Sequence, residues 1–522
     1  MRISRRQALA LLATAAPALR SAYAQQNGIE VTPGPFKGTP ASLQAYRFPA
    51  WFTEAKFGIW AHWGPQSGIE YGDWYARNMY IQGSPQYNYH VETYGHPSRV
   101  GYKNLVPTFK AAAWDPEHLM DLYVKAGAKY FFSMGVHHDN YDMWNSKYQP
   151  RWNAVATGPN RDIVGLWAAA ARKRGLRFGV SEHLSNSYDW LAVSHLSDKT
   201  GPMAGVPYDG TDPAFADLYH DFNGQPADFA ASAKAMGRDA PTRWKLQYFR
   251  RIKDLVDSYQ PDLLYTDGGI PFDEYGYSTV AEVYNVSAAK HNGKVEAVYF
   301  SKQGDQCKVG TCALDRERGV LDGISPTPWQ TDTCIGDWHY KRGVKYKTPK
   351  KVIDLLVDIV SKNGNLLLNF PLPNSGELDF AEREILEGIT QWMAVNSEAI
   401  YATRPWKIYG EGPSTKAVVA SNGKEFDPNE GKKPDLTAQD IRFTTKGDIV
   451  YAFVQGWPEG PATITALGTS SPQNPPKITG ASLLGHSDNL KFTQDATGLH
   501  VTLPPTPTPT SNIGITLKLR TT

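Results

Sequence analysis

The stretch FGIWAHWG, residues 57 to 64, alternates at period two: Phe57, Ile59 and Ala61 fall on one side, Trp60 and His62 on the other. It reads as a short buried strand whose end brings an imidazole, an indole and a glycine together. Five further segments share this signature, namely KYFFSMGVHH from Lys129, LRFGVSEH from Leu176, DLLYTDG from Asp262, VEAVYFS from Val295 and NLLLNFP from Asn365. Helical patterns lie between them. One runs from Asp115 to Ala126, where Leu119, Leu122 and Tyr123 recur at helical spacing after an Asp-Pro start. Others run from Arg161 to Arg174, stopped by Gly175, from Trp244 to Tyr259, and from Lys350 to Lys362, followed by Asn363-Gly364. Strand and helix alternating over roughly 350 residues predict parallel strands joined by crossover helices, an α/β fold of the (β/α)8-like, TIM type.

The alternation breaks twice. From about Ser194 to Arg243, a stretch rich in Gly, Asp and Pro predicts a long loop on the face where the strands end. Beyond Trp406 the helical patterns stop. KAVVAS, GDIVYAFVQGW, ATITALG, LHVTLP and NIGITLKL then read as short strands of a C-terminal β-sandwich, with PPTPTPTSN as an extended loop before the last. The expected organisation is a barrel over residues 25–406 and a sandwich over 407–522, preceded by a leader over 1–24. The leader rests on Arg2, Arg5 and Arg6, the apolar run ALALLATAAPAL, and the small-residue site Ala22-Tyr23-Ala24 before Gln25. The run is too short for a membrane span of ~20 residues, so it predicts a cleaved secretory signal of twin-arginine type, export to the periplasm or beyond, and a mature protein without a span.

Formal net charge is +2 and the basic residues are scattered, which excludes a protein that tracks a nucleic-acid backbone. Aromatic residues make up 12% of the chain, a content that suits stacking on sugar faces. Cys307, Cys312 and Cys334 are an odd number without zinc-site spacing; a Cys307–Cys312 bridge would leave one thiol free.

In such a barrel, chemistry sits at the C-terminal strand ends. Four successive strand candidates end in His62-Trp63-Gly64, His137-His138-Asp139, Glu182-His183 and Asp267-Gly268-Gly269. Asp267 follows apolar residues and precedes two glycines, a setting that suits a carboxylate attacking an anomeric carbon. His137 and His138 are adjacent, which tends to send them to opposite faces, and HExxH spacing is missing, so no metal is expected. Imidazoles that hydrogen-bond sugar hydroxyls explain them better. A retaining glycosidase needs a second carboxyl ~5–5.5 Å from the first. Glu317 in ALDRERG is the first choice, with Glu70, Glu182 and Glu274 as competitors.

Taken together, WFTEAKFGIWAHWG at Trp51 to Gly64, GDWYARNMY with SPQYNYHVETYG at Gly72 to Gly95, AGAKYFFSMGVHHDNYDMWNSKY at Ala126 to Tyr148, LLYTDGG around Asp267 and VSKNGNLLLNFPLPNSGELD resemble the α-L-fucosidases of glycoside hydrolase family 29. The match spans roughly residues 45 to 406. The resemblance implies a retaining enzyme without cofactor, with Asp267 as nucleophile and His62, His137 and His138 on the fucose hydroxyls. Trp74 and Tyr75 would line the pocket against the C5 methyl. Where many members have a Tyr-Tyr-Ser strand end, this chain has Ser181-Glu182-His183, so the tyrosine expected near the nucleophile is absent and Glu182 is expected to take its place as a substrate-binding residue. The function implied is an exported exo-acting enzyme that removes terminal fucose from oligosaccharides or glycoconjugates. An α-L-galactosidase-like specificity and a catalytically inactive fucose-binding protein are the alternatives.

Overall fold

Eight parallel strands, β1 (Phe57–Ala61), β2 (Tyr130–Val136), β3 (Arg177–Glu182), β4 (Leu263–Thr266), β5 (Val298–Ser301), β6 (Ala313–Leu314), β7 (Trp329–Cys334) and β8 (Gly364–Asn369), pair in the order β6-β5-β4-β3-β2-β1-β8-β7. A parallel bridge between Asp315 and Gln330, continued by Arg318 N–H to the Asp332 carbonyl at 2.8 Å, joins β6 to β7 and closes the barrel. The computed structural model describes residues 28–220, 240–416, 430 and 434–522; the leader and most of KAVVAS lie outside them. Among the described residues, no helix is long and apolar enough to cross a membrane.

The crossover helices form where their start signals stand. The Asp115 carboxylate accepts from the Glu117 and His118 amides at the head of the helix Pro116–Lys125, and Asp162 accepts from Gly165 at the head of Ile163–Lys173. Helices Thr242–Tyr259 and Pro349–Ser361 match the other two patterns. The β5–β6 connection holds only the short helix Gly304–Lys308, and the β6–β7 connection has no helix, so the barrel is eight-stranded but incompletely wrapped. Two strands, β6 and β7, were not legible as strands. β6 has two residues, and β7, Trp-Gln-Thr-Asp-Thr-Cys, is buried throughout yet carries polar side chains that the apolar-strand pattern misses.

Strand parity sorts side chains between the barrel interior and the helix layer. In β1, Phe57, Ile59 and Ala61 face outward and Gly58, Trp60 and His62 inward. Gly58 is required there, because a Cβ would stand 2.2 Å from the Tyr130 ring, whose hydroxyl is anchored to Gln330 at 3.1 Å. Gly58→Ala is therefore expected to lower stability by about 1–3 kcal/mol through overpacking, read as a lowered unfolding midpoint; an unchanged midpoint would contradict this packing.

C-terminal to the barrel, a five-stranded antiparallel sheet in the order β13-β16-β11-β10-β9 includes β9 (Arg404–Glu411), β10 (Ile441–Lys446), β11 (Ile449–Val454), β13 (Ile478–Leu483) and β16 (Ile515–Thr521). A three-stranded sheet of β12 (Ala462–Ile464), β14 (Phe492–Gln494) and β15 (Leu499–Val501) faces it. Phe443, Val450, Leu517 and Leu519 pack against Ile464, Leu499 and Val501 to form the sandwich core. It docks on the helix Phe380–Asn396, whose Trp392 indole donates to the Gly514 carbonyl at 2.9 Å.

Cys307, Cys312 and Cys334 are all free thiols, so the Cys307–Cys312 bridge is not formed. The Cys307 thiol instead reaches the Ser301 carbonyl at 3.7 Å.

Candidate active site

A cavity of about 250 Å³ opens at the C-terminal ends of the strands. It is smaller than pockets for drug-sized ligands, ~300–1,000 Å³, and its size suits one sugar ring. Asp267, one residue past β4, lies in it. The Asp267 Oδ1 atom accepts from Lys302 Nζ at 2.5 Å, while Oδ2 lies 3.2 Å from His138 Nε2 and 3.5 Å from His183 Nδ1. Burial pushes the Asp267 carboxyl up, but Lys302, His183 and His138 together outweigh it and hold the group well below the usual carboxylate range.

Lys302, directly after β5, is buried and also donates to Glu317 Oε2 at 2.5 Å. Each oxygen is 2.5 Å from the same nitrogen, so Asp267 Oδ1 and Glu317 Oε2 are at most twice that, 5.0 Å, apart. Burial pulls the Lys302 ammonium down and its carboxyl partners, Asp267 foremost, more than restore it, so it stays cationic. The Trp338 indole fixes the other Glu317 oxygen at 3.1 Å. Among the glutamates offered by the sequence, Glu317 alone lines the cavity. Glu70 pairs with Arg342 at the surface, and Glu274 opens the helix Glu274–Lys290 behind β4.

His62 and His137 line the cavity, as do His138 and Trp74. Both adjacent histidines point inward, against the strand-alternation expectation, because β2 ends at Val136 after a register shift between Met134 and Val136. Burial, reinforced by neighbouring imidazoles, drives the His62 and His137 pKa values well below the ordinary histidine range. Their rings are therefore neutral and each presents one donor and one acceptor nitrogen. The Gln66 amide donates to His137 Nδ1 at 3.0 Å while its carbonyl accepts from the Ala76 amide, which places the His137 proton on Nε2.

Two expected substrate contacts lie elsewhere. Glu182 has the parity of Phe178 and Val180 and faces the helix layer, where it accepts from Thr266 at 2.5 Å, the Leu184 amide at 2.9 Å and Tyr248 at 3.2 Å. Burial raises its carboxyl to about 7, against these three bonds. His183, one residue on, has the inward parity and lines the cavity instead. Tyr75 is buried beside the site, hydrogen-bonded to His90 at 3.0 Å, and is not part of the cavity wall.

Sequence reading missed Asp73, Lys302, Asp332 and Trp338, all on the wall. Asp73 sits beside Trp74 in GDWYARNMY, and the His339 ring N–H donates to it at 2.6 Å. Lys302 had a signal, since parity with Val298 and Phe300 directs it inward. The described part of the Ser194–Arg243 loop does not line the cavity. It is tied to the β1–β2 connection, with Asp209 accepting from Tyr80 at 2.7 Å and Asp198 from Tyr87 at 2.6 Å.

The α-L-fucosidase family model matches residues 23–398, and the model of the α-L-fucosidase C-terminal domain matches 433–520. Human tissue α-L-fucosidase is 30% identical over 481 residues, which cover 89% of this chain and 87% of that protein. Human plasma α-L-fucosidase is 29% identical, covering 90% and 89%. The crystal structure of Thermotoga maritima α-fucosidase in complex with a mechanism-based inhibitor superposes with a TM-score of 0.71 at 26% identity, over 93% of this chain and all of that one. The chain, with a closed barrel, a sandwich behind it and a sugar-sized cavity at the strand ends, belongs to the α-L-fucosidase family of glycoside hydrolases.

Proposed function

We propose that the chain hydrolyses terminal α-L-fucosyl linkages of glycans with net retention, through a fucosyl ester on Asp267 and with Glu317 as acid/base. The observation that carries this reading is the single ammonium of Lys302, 2.5 Å from an oxygen of each carboxyl group, with Asp267 ionised and Glu317 protonated before the first step. That bound of 5.0 Å between the nearer oxygens puts the pair at the close range of retaining enzymes, ~5–5.5 Å, and short of the ~6.5–9.5 Å that an inverting pair uses to admit water.

Asp267, held ionised, attacks the anomeric carbon while Glu317 gives its proton to the departing glycosidic oxygen. Asp267 then carries no charge and Glu317 is the carboxylate. In the second step Glu317 takes a proton from water, which attacks the same carbon and releases Asp267. One negative charge passes from Asp267 to Glu317 and back, and Lys302 touches both ends of that path. The neutral imidazoles of His62 and His137 suit hydroxyls that donate and accept. Trp60, Trp74 and Trp338 give the cavity apolar faces for the C5 methyl, a contact worth ~1–3 kcal/mol of discrimination against a hydroxymethyl group. Proton NMR during early hydrolysis of 4-nitrophenyl α-L-fucoside tests the stereochemistry: α-L-fucose should appear first, and β-L-fucose appearing first would refute retention.

Export belongs to the same proposal. The paired arginines, apolar run and Ala22-Tyr23-Ala24 site support a leader, and the mature protein should begin at Gln25 by N-terminal sequencing. A mature chain that retains Met1 would rule it out.

A further inference from the structure

Beneath the nucleophile lies a second group of carboxyls that the reaction above does not use. Tyr265, inward-facing on β4 and buried, points its hydroxyl at two acceptors: Asp267 Oδ1 at 3.4 Å and Asp332 Oδ2 at 3.2 Å. A phenol has one proton, so it serves one of them at a time. Asp332, on β7, is in turn within hydrogen-bonding reach of Asp315, just past β6. Each has one buried oxygen, Asp332 Oδ1 and Asp315 Oδ2, with no donor. A proton shared between the two carboxyls satisfies both. The remaining Asp315 oxygen accepts from the Gln330 amide at 2.9 Å.

We propose that Tyr265 is a catalytic residue that tunes the nucleophile, and that the Asp315–Asp332 pair positions its proton. With one proton in the pair, Asp332 is ionised and draws the Tyr265 O–H away from Asp267, leaving the nucleophile reactive. When Asp332 is also protonated, it is the weaker acceptor. Tyr265 then donates to Asp267 and stabilises the carboxylate against attack.

The charged and titratable groups facing this chain are Asp267 after β4, Lys302 after β5, Glu317 beyond β6 and His183 after β3, with Tyr130 of β2 and Cys307 of the helix Gly304–Lys308 facing Asp315. Burial, offset by Lys302 and reinforced by Glu317, brings Asp332 to about 6, whereas Asp267 lies far lower. The two carboxyls therefore titrate in separate ranges.

This inference rests on Asp267 as nucleophile, and its test is read separately from that assignment. The measurement is the pH profile of kcat/KM on 4-nitrophenyl α-L-fucoside, whose leaving group needs little protonation. The wild type should lose about tenfold through an acidic limb near pH 6. Tyr265→Phe should remove that limb. Asp332→Asn should fix the rate at the low value across pH, and adding Tyr265→Phe to it should restore the rate, a rescue that general damage does not give. Asp315→Ala, which removes the O–H that donates to ionised Asp332, should move the limb up by about one pH unit. A wild type without the limb, a limb that survives Tyr265→Phe, or a double variant as slow as Asp332→Asn would overturn the proposal. If Asp267→Gly kept its activity, the assignment of the nucleophile would fall instead.

Discussion

Asp267→Gly is expected to lower kcat on 4-nitrophenyl α-L-fucoside by about 10⁴-fold or more, since the nucleophile is the group whose loss leaves least residual catalysis. The fold should survive. Lys302 keeps Glu317 as a partner at 2.5 Å, so no buried ammonium is left unpaired, and the next residue, Gly268, already adopts a positive φ. Glycine also leaves a space the size of a carboxylate, bordered by Lys302, His138 and His183. Azide can occupy it and attack from the nucleophile's side, giving β-L-fucosyl azide. Recovery of rate with that anomer identifies the side of attack as well as the residue. Retention of more than about a tenth of wild-type activity would rule out Asp267 as the nucleophile.

Glu317→Ala should show the opposite pattern. Hydrolysis of a natural fucosylated glycan, whose leaving alcohol must be protonated, is expected to fall by about 10²–10⁴-fold. With the aryl substrate, kcat/KM should change little because nitrophenolate leaves unaided, while kcat falls because water in the second step loses its base. Azide needs no base, so it should restore kcat and form α-L-fucosyl azide, the anomer opposite to that from Asp267→Gly. Equal losses on both substrates with no azide effect would exclude Glu317. Asp332 would then become the next carboxyl to test, since it also lines the cavity.

The fold was legible wherever apolar period-two strands met capped helices, which covers six of the eight barrel strands and the four clearest crossover helices. β6 escaped because it has only two residues, and β7 because its inward residues, Gln330 and Asp332, are polar and bond to Asp315 inside the barrel. Sequence hydropathy cannot separate such a strand from a loop. Within the site, Asp267, Glu317, His62, His137, His138 and Trp74, singled out by their positions at strand ends or within motifs, line the cavity. Glu182 was assigned to the cavity because it is the carboxyl of its strand end, although the alternation already used for β1 assigns His183 to the inside of β3. A tyrosine does reach Asp267, but from β4 itself: the Tyr265 hydroxyl lies 3.4 Å from Asp267 Oδ1, and no spacing rule places it there until the strands are paired. Lys302 was overlooked for a similar reason, since its role arises from two carboxylates brought to one ammonium by different strands.

Incubation with 2-deoxy-2-fluoro-L-fucosyl fluoride, followed by mass analysis of the proteolysed chain, tests the central assignment most directly. The C2 fluorine slows both steps, and the fluoride leaving group speeds the first, so the ester accumulates. One fluorofucosyl group should be found per chain, on the peptide containing Asp267. An unmodified chain after turnover, or a label on Glu317 or Asp332, would contradict the account.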